Sequence, residues 1–321
     1  MLKLKPLAAA DQNRHFELLR DRFYDGRSRK LADLGPGAPY HHDLIEFFEH
    51  VLKEILVGSP SDIESIALAV QALHPQFNAY AARKKKGKKA ADTVHRNTLA
   101  LIEECFDYGR FSLKDNGWNA YALVCAHNLR ICPYCHAHHV NYYVDPAASK
   151  LADKYRVRPP LDHFLPKSSY PYLAVSLHNL IPSCAQCNSS IKSSADPLAL
   201  GLGNPHDNSI VVDIRFSAAG SIPTVLKGTV DDIQIGLVAN SNESKALMQA
   251  FLLSERYQWY RHEVKDLIDR YADHLAMPAA LRAVVSRERF VLGCPLAKVD
   301  ERMIGFCLRD IYDELNKQKL A

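Results

Sequence analysis

LDHFLPKSSYPYLAVSLHNLIPSCAQCNSSIK, residues 161–192, holds most of the side chains that decide the fold and chemistry of this chain. It begins with an acidic residue and a histidine, Asp162 and His163. An isolated Asn179 follows, and then a Cys-x-x-Cys pair with Asn188 directly after it. So many metal-binding and proton-transferring side chains in one short stretch indicate a site of catalysis or metal binding.

A second Cys-x-x-Cys pair lies upstream, in the sequence ICPYC. The four paired cysteines are Cys132, Cys135, Cys184 and Cys187. Four thiolates in two such pairs form the usual ligand set of a tetrahedral structural zinc, which leaves no open coordination position. The three histidines next to the first pair, His136, His138 and His139, are therefore predicted to face solvent or phosphate. The other four cysteines lie in apolar helical patterns and are predicted to be reduced core thiols: Cys105, Cys125, Cys294 and Cys307.

Length and composition favour a globular protein of more than one domain. The chain has 321 residues, of which 47% are hydrophobic, enough for a full core and for two or three domains. The N-terminal apolar run is too short for a signal peptide, and no later stretch has the ~18 uncharged apolar residues that a membrane span requires. We therefore expect a cytoplasmic protein that does not interact with membranes.

The positive charge of the chain is concentrated in one segment, ARKKKGKKA. Its six cations are Arg83, Lys84, Lys85, Lys86, Lys88 and Lys89. The formal net charge is +4, so the rest of the chain carries −2. Two interpretations stay open: a solvated loop between two helices, or a contact with nucleic-acid phosphates.

Residues 1–128 are predicted to form a helical N-terminal domain. Asp11 is placed to cap a helix that runs toward Tyr24. A second helix follows from one apolar stripe, Leu44, Ile45, Phe48, Val51, Leu52, Ile55 and Leu56. Ser61 and Glu64 form the pattern of a capping box for a third helix, and Asp92 is placed to cap another.

Residues 129–200 are predicted to form the domain that contains the site. Pro159 and Pro160 exclude a helix and favour an extended segment at Asp162 and His163. The polar segment between Val144 and Leu161 is predicted to be a loop or a small hairpin. A strand, a loop, a second strand and a short helix are then expected in that order.

Residues 201–321 are predicted to form a C-terminal domain with a small antiparallel meander and helices. The meander strands are residues 210–216, 222–226 and 233–238, and a long helix begins at Asn242. Pro278 and Pro295 are each placed to open a further helix. The aromatics of SERYQWYRHE allow base stacking, but their helical spacing favours core packing or a partner surface. The predicted fold class is α+β and mainly helical.

The Asp-His pair, Asn179, the paired cysteines and Asn188 together resemble the ββα-metal, or HNH, endonuclease motif in its cysteine-containing form. The resemblance covers residues 129–195, about a fifth of the chain. It implies a ββα-metal core with a four-cysteine zinc site. It also implies that Asp162 and Asn188 bind a catalytic Mg²⁺ or Mn²⁺, that His163 is the general base, and that Asn179 holds the loop. The last position is His in the founding pattern, and Asn in its place suits Mg²⁺ better than zinc.

The same resemblance implies a nucleic-acid substrate, which we expect to be DNA, although the sequence itself leaves DNA and RNA both open. Lys167 and Lys192 are then candidates for contact with the scissile phosphate, although each is as readily interpreted as a solvated surface lysine. The layout is similar, more weakly, to the HNH nuclease of Septu-type anti-phage systems, which implies bacterial defence and an ATPase partner. The alternative function is a non-catalytic zinc-knuckle adaptor for nucleic acid or protein. Asp162 and His163 favour the nuclease, because a zinc ribbon needs no such pair between its knuckles.

Overall fold

The computed structural model of the protein describes residues 3–34, 39–83, 93–114, 117–145, 147, 155–192, 195–218 and 228–318. In this part of the chain the architecture is a mainly helical α+β fold with three two-stranded antiparallel sheets. No helix among the described residues combines the length and the apolar composition required to cross a membrane. The division into three domains stays a prediction. Buried hydrophobic side chains from all three segments belong to one cluster.

Helices fill the N-terminal part, as the apolar periodicity predicts. They are α1 (Ala9–Leu34), α2 (Pro39–His50), α3 (Leu52–Val57), α4 (Pro60–Leu73), α5 (Pro75–Ala81), α6 (Thr93–Cys105), α7 (Tyr108–Phe111) and α8 (Ala120–His127). Helix α1 packs against α6, and Gly26 lies at their contact. A Cβ at Gly26 would lie 2.7 Å from the Glu104 carbonyl oxygen, so the two backbones approach this closely only because glycine has no side chain.

Helix boundaries in this part differ from the prediction in three places. Asp11 lies inside the first turn of α1 and does not cap it. The predicted second helix is two helices, α2 and α3, with Val51 between them, although the Leu44 and Leu56 ends of its stripe are both buried. The capping box of α4 is formed by Ser59 and Asp62, because Pro60 occupies the first helical position and shifts the start of the helix upstream.

The segment between the two cysteine pairs contains two of the sheets. Strands β1 (Tyr143–Val144) and β2 (Tyr155–Val157) pair antiparallel. This pairing agrees with the small hairpin, one of the two predicted alternatives, and most of the connection between the strands lies outside the described residues. Strands β3 (Leu161–His163) and β4 (Leu180–Pro182) pair antiparallel, with Asp162 opposite Ile181. A π-helix, Gln186–Lys192, follows β4, and we call it the site helix. The expected order of strand, loop, strand and helix is present in the backbone.

The C-terminal part contains the third sheet and the remaining helices. Strands β5 (Ile214–Ala218) and β6 (Ile235–Ala239) pair antiparallel, and the predicted middle strand, 222–226, lies outside the described residues. The remaining helices are α9 (Pro197–Leu200), α10 (Asn242–Ala250), α11 (Leu253–Tyr257), α12 (Arg261–Ala276), α13 (Ala279–Val284), α14 (Arg287–Leu292) and α15 (Gly305–Gln318). The predicted long helix is interrupted, because Leu252 has a left-handed backbone with φ of 50° between α10 and α11.

Candidate functional site: a cysteine cluster and the adjoining cleft

The four paired cysteines converge on one point. Cys132, Cys135, Cys184 and Cys187 are buried, and their sulfur atoms all lie within 4.8 Å of one another. The Sγ atoms of Cys135 and Cys184 are 3.9 Å apart. Tetrahedral zinc with bonds of about 2.3 Å places its sulfur ligands about 3.8 Å apart. The cluster therefore has the ligands and the spacing to hold a structural zinc ion.

Backbone and side-chain donors surround the sulfur atoms. The backbone N–H of Ala137 donates to Cys135 Sγ, and that of Cys187 donates to Cys184 Sγ, each at 3.4 Å. Arg256 donates from Nη1 to Cys187 Sγ at 3.4 Å. These donors stabilise thiolates rather than thiols, because each places partial or full positive charge against a sulfur. Arg256 is 69 residues away from Cys187 along the chain, and the spacing pattern contains no signal for it.

The turn that carries Cys132 and Cys135, which we call the first knuckle, is held in place by the C-terminal helices. Tyr257 donates its hydroxyl to the Cys135 carbonyl, and Tyr260 donates to the Ala137 carbonyl, each at 2.8 Å. These two aromatics therefore pack on the protein itself, while Trp259 between them is 84% exposed. The prediction that His136 faces solvent is wrong: its ring is buried, stacks on Phe306 at 4.0 Å and donates from Nε2 to the Asp300 carbonyl.

A cleft of about 490 Å³ lies next to the cysteine cluster. It brings together four of the predicted site residues, Asp162, His163, Lys167 and Asn188. Its other lining residues are Tyr108, Arg158, Pro160, Leu161, Pro166, Ser168 and Ser189. The strand β3, the loop that follows it and the start of the site helix thus contribute to one cavity open to solvent.

Asn179 lies behind this cleft and is fully buried. Its amide oxygen accepts from the Leu165 backbone N–H at 2.6 Å. Its amide nitrogen donates to the carbonyls of Leu165 and Leu173, at 3.0 and 2.9 Å. One side chain therefore joins both ends of the loop between β3 and β4, and it fixes the position of His163 by holding the residues that follow it.

His163 lies at the edge of the cleft with its protonation state determined by its neighbours. Nε2 lies 2.9 Å from the Ala174 carbonyl, which can only accept, so Nε2 carries the proton and Nδ1 carries a lone pair. The ring contacts Tyr108 edge to face, with centroids 4.5 Å apart. Burial, and secondarily the charge of Lys167, lowers the pKa of His163 to about 3. The imidazole is therefore neutral at physiological pH.

Asp162 is buried and held by two donors. Its Oδ2 accepts from the Tyr134 hydroxyl at 2.7 Å, and its Oδ1 accepts from Lys192 Nζ at 3.1 Å. Lys192 also donates to the His163 carbonyl at 2.8 Å. Burial raises the pKa of Asp162, and the charge of Lys192 and the Tyr134 hydrogen bond oppose that rise. Tyr134 lies between Cys132 and Cys135, so the first knuckle is bonded directly to this carboxylate.

Lys192 does not occupy the position predicted for it. Its side chain is 1% exposed and forms an ion pair with Asp162, so its ammonium group cannot reach a phosphate in this structure. Burial of a lysine requires such a partner, and the fold supplies one from β3. Lys167 does lie in the cleft, exposed, with its ammonium 4.9 Å from the centre of the Tyr108 ring. Asn188 is partly exposed there and donates from Nδ2 to Ser189 Oγ at 3.2 Å.

The N-terminal helices support the loop that carries the His163 acceptor. His15 in α1 donates from Nε2 to the Val175 carbonyl at 2.8 Å, and its Nδ1 accepts from Trp118 at 3.0 Å. Gln71 in α4 donates to the Tyr170 hydroxyl at 3.0 Å. These contacts join residues that are about 100 or more apart in sequence, and no local pattern indicates them.

Most of the basic segment lies outside the described residues. Lys84, Lys85, Lys86, Lys88 and Lys89, together with the predicted cap Asp92, lie outside the described residues. Arg83 is described, and its guanidinium lies 5.6 Å from the centre of the Tyr80 ring. The two interpretations of the segment therefore stay open.

Comparisons with known proteins supply no relative. No protein-family model, no curated protein and no solved structure matches this chain. We therefore infer the function from the geometry of the cysteine cluster and the cleft.

Proposed function

We propose that the protein is an HNH-type, metal-dependent endonuclease that hydrolyses DNA phosphodiester bonds. One observation carries this proposal: His163 lines the cleft, and its Nε2 proton is donated to the Ala174 carbonyl. Asp162 and Asn188, whose side-chain oxygens can bind a metal ion, line the same cleft. The β3–β4 hairpin and the site helix behind it have the order of a ββα-metal core. A four-cysteine zinc site beside this hairpin agrees with the cysteine-containing form of the family.

The donor set of the cleft fits a hard divalent cation. Mg²⁺ is usually bound by one or two protein oxygens, with water and substrate phosphate in the other positions. The carboxylate of Asp162 has about four lone-pair sites, and Tyr134 and Lys192 engage two of them. Asp162 and Asn188 would hold Mg²⁺ or Mn²⁺. When bound, this ion would supply Lewis-acid stabilisation of charge on the phosphoryl oxygens.

The residues of the chain can perform the proton transfer that hydrolysis needs. Nδ1 of neutral His163 accepts a proton from water as the water oxygen bonds to phosphorus. The bond from phosphorus to the departing sugar oxygen breaks, and that oxygen takes a proton from solvent. The Ala174 carbonyl holds the imidazole in the tautomer that this step requires, and it stabilises the imidazolium that forms.

The cleft offers cations for the substrate backbone. Lys167 is exposed in it, and Arg158 lies at its rim with Nη1 bonded to the Pro159 carbonyl at 3.0 Å. The basic segment Arg83 to Lys89 is proposed as a further phosphate contact. Neutralising its six charges should weaken binding to all DNA sequences and flatten the slope of log K against log salt by about 0.9 per lost contact. An unchanged slope would identify it as a solvated loop.

The test is incubation of purified protein with supercoiled plasmid, with and without Mg²⁺ or Mn²⁺. We expect nicked and linear products only with metal. His163→Ala should abolish them while circular dichroism and zinc content stay unchanged. His262→Ala, which changes an exposed histidine outside the cleft, should cleave as the wild type does. Full activity of the His163→Ala protein would exclude the proposed general base.

A non-catalytic zinc-knuckle adaptor is the second candidate, and the ion pair of Asp162 with Lys192 favours it. A carboxylate that is buried and already neutralised has a structural role without any divalent ion. This candidate predicts binding of nucleic acid or protein with no cleavage in any metal. The plasmid assay distinguishes the two candidates, because only the endonuclease converts the supercoiled form.

The biological setting is proposed on the resemblance to Septu-type nucleases alone. It comprises bacterial anti-phage defence and an ATPase partner. Copurification of a tagged copy of this protein with an ATPase from its own host, and loss of phage resistance in the His163→Ala strain, would support that setting. Resistance that does not depend on His163 would contradict it.

A further inference from the structure

A second cleft, of about 600 Å³, lies between the first knuckle and the C-terminal helices. Arg130 and His139 line it from the knuckle, whereas its other walls come from α12, α15 and the segment between α14 and α15. It shares no lining residue with the cleft that contains His163. The proposed endonuclease reaction therefore gives this second cleft no role.

Three cations in the second cleft have no side-chain partner among the described residues. Among the described residues, no side-chain hydrogen bond or ion pair involves Arg270, Lys298 or Arg302. The Nε atom of Arg270 is buried, and a buried donor without an acceptor is unfavourable unless a ligand or water supplies one. Arg29 and Arg215, two arginines elsewhere on the exposed surface, are each paired with a carboxylate. The second cleft therefore collects positive groups that are available to an anion.

Carboxylates in the same cleft exclude a simple polyanion. Glu301 lines it and is paired with Arg130, whose Nη1 lies 3.7 Å from Glu301 Oε2. Glu263 and Asp266 line it as well, and Oε2 of Glu263 is buried with no hydrogen-bond partner among the described residues. A carboxylate can only accept, so the ligand must present donors such as hydroxyl or amino groups as well as negative charge. A nucleic-acid backbone offers only acceptors and negative charge along its phosphates, and these two carboxylates would repel it.

An apolar surface completes the second cleft, formed by Met303, Ile304 and Leu308. Ile304 has a left-handed backbone with φ of 51°, a conformation that is strained for a β-branched residue and concentrated at ligand-binding positions. Its N–H donates to the His136 carbonyl at 2.7 Å, which ties this part of the cleft to the first knuckle. The hydrogen bond thus holds the Ile304 backbone in place beside the apolar surface, on which a flat apolar group of a ligand would pack.

We propose that the second cleft binds a nucleoside phosphate. The phosphate lies against Arg270, Lys298 and Arg302, where guanidinium groups can bind it in bidentate form. Sugar hydroxyls or base amino groups donate to Glu263 and Asp266, and the base packs on the apolar surface. This is the ligand class that matches cations, acceptors and an apolar face within one cavity of small-molecule size.

The test is isothermal titration calorimetry of the full-length protein with ATP, GTP, CTP and UTP, and with inorganic phosphate as a separate probe. At least one nucleotide should bind with a Kd tighter than about 1 mM, and inorganic phosphate should bind more than ten times more weakly. Lys298→Gln and Arg302→Gln should each weaken nucleotide binding about tenfold. Arg282→Gln, which removes an exposed arginine outside the cleft, should leave it unchanged. No saturable binding of any of the four nucleotides would overturn the proposal.

Glu263→Gln separates two ligand classes when nucleotide binding is compared with binding of inorganic phosphate. The substitution removes a repulsive charge for every phosphate, so the ratio of nucleotide affinity to phosphate affinity should fall several-fold only for a nucleoside phosphate that donates to Glu263. A single-stranded DNA oligonucleotide bound through its backbone should bind more tightly, because a repulsive charge is removed. Tighter oligonucleotide binding, with no nucleotide binding, would assign the cleft to DNA and overturn the nucleotide assignment.

Discussion

The cysteine cluster and the His163 cleft are neighbours on the same hairpin and helix, but they are assembled from different ranges of sequence. Each half of the cysteine cluster is a local turn, with sulfur ligands three residues apart. The cleft depends on Tyr108 from α7, Tyr134 from the first knuckle and Lys192 from the far end of the site helix. The cluster is closed by its own ligands, whereas the cleft is held by contacts from several elements.

This difference predicts how each region responds to substitution. A closed metal site loses its metal, and with it the stabilisation that the metal supplies, when one ligand is removed. This is because the binding free energy of the site is released in a single step. In a cleft built from separate contacts, each substitution should lower the free energy of unfolding by only a few kcal/mol.

Cys184→Ser should remove zinc and unfold the region around both knuckles. Structural zinc sites of this type contribute on the order of 10–16 kcal/mol of binding free energy, which one lost thiolate reduces drastically. Elemental analysis should find one zinc per chain in the wild type and little in the variant. Cys294→Ser changes a partly exposed cysteine outside the cluster, and it should keep its zinc. A folded wild-type preparation without zinc would contradict the prediction.

Lys192→Met should destabilise the protein by about 3–5 kcal/mol, because it leaves the Asp162 carboxylate buried without its counter-ion. Urea unfolding measures this change. The double variant Asp162→Asn with Lys192→Met should recover part of the loss, since no buried charge remains. Lys167→Met, in the same cleft but exposed, should change stability by less than about 1 kcal/mol. Equal effects at the two lysines would show that the ion pair is not buried in solution.

Tyr134→Phe should lower the free energy of unfolding by about 1.5–3 kcal/mol, the range for a lost hydrogen bond to a charged group. It tests whether the cysteine cluster and the cleft are coupled. Zinc content should stay at one per chain, and, on the proposed endonuclease function, the Mn²⁺ concentration needed for half-maximal plasmid cleavage should rise. The exposed Tyr143 provides the control substitution, Tyr143→Phe, with no change in either measurement. Loss of zinc from the Tyr134→Phe protein would show that the Tyr134 hydroxyl stabilises the cysteine cluster and not the cleft.

Acid should lower the stability of the protein through His15, which supports the loop beside the cleft. Burial lowers the pKa of His15 to about 4, below its ordinary value of 6.5. The unfolded chain therefore binds more protons than the folded one between these values, so stability is full above pH 6.5 and falls as pH drops toward 4. This residue alone should remove about 2 kcal/mol of stability between pH 7 and pH 5. Urea unfolding of His15→Gln at both pH values should show a smaller pH-dependent loss than the wild type, and an equal loss would contradict the assignment.

Sequence patterns predicted the parts of the site that depend on nearby residues. The four cysteines, the strand at Asp162 and His163, and the helical segment after Cys187 follow from spacing, proline positions and turn chemistry. The same patterns did not predict the burial of Lys192, for which they left two interpretations open, a contact with the scissile phosphate or a solvated surface lysine. Its buried partner, Asp162, lies 30 residues away, and local spacing contains no signal for it.

The sequence by itself determined the cysteine cluster and the mainly helical architecture, because ligand spacing and apolar periodicity act over a few residues. Only the tertiary structure decided that Asp162 is neutralised by Lys192, that Tyr134 bonds the first knuckle to that carboxylate, and that His163 donates to Ala174. These contacts arise when packed elements exclude water from polar groups, which must then find partners in each other. Which groups become partners depends on the packing of elements far apart in sequence.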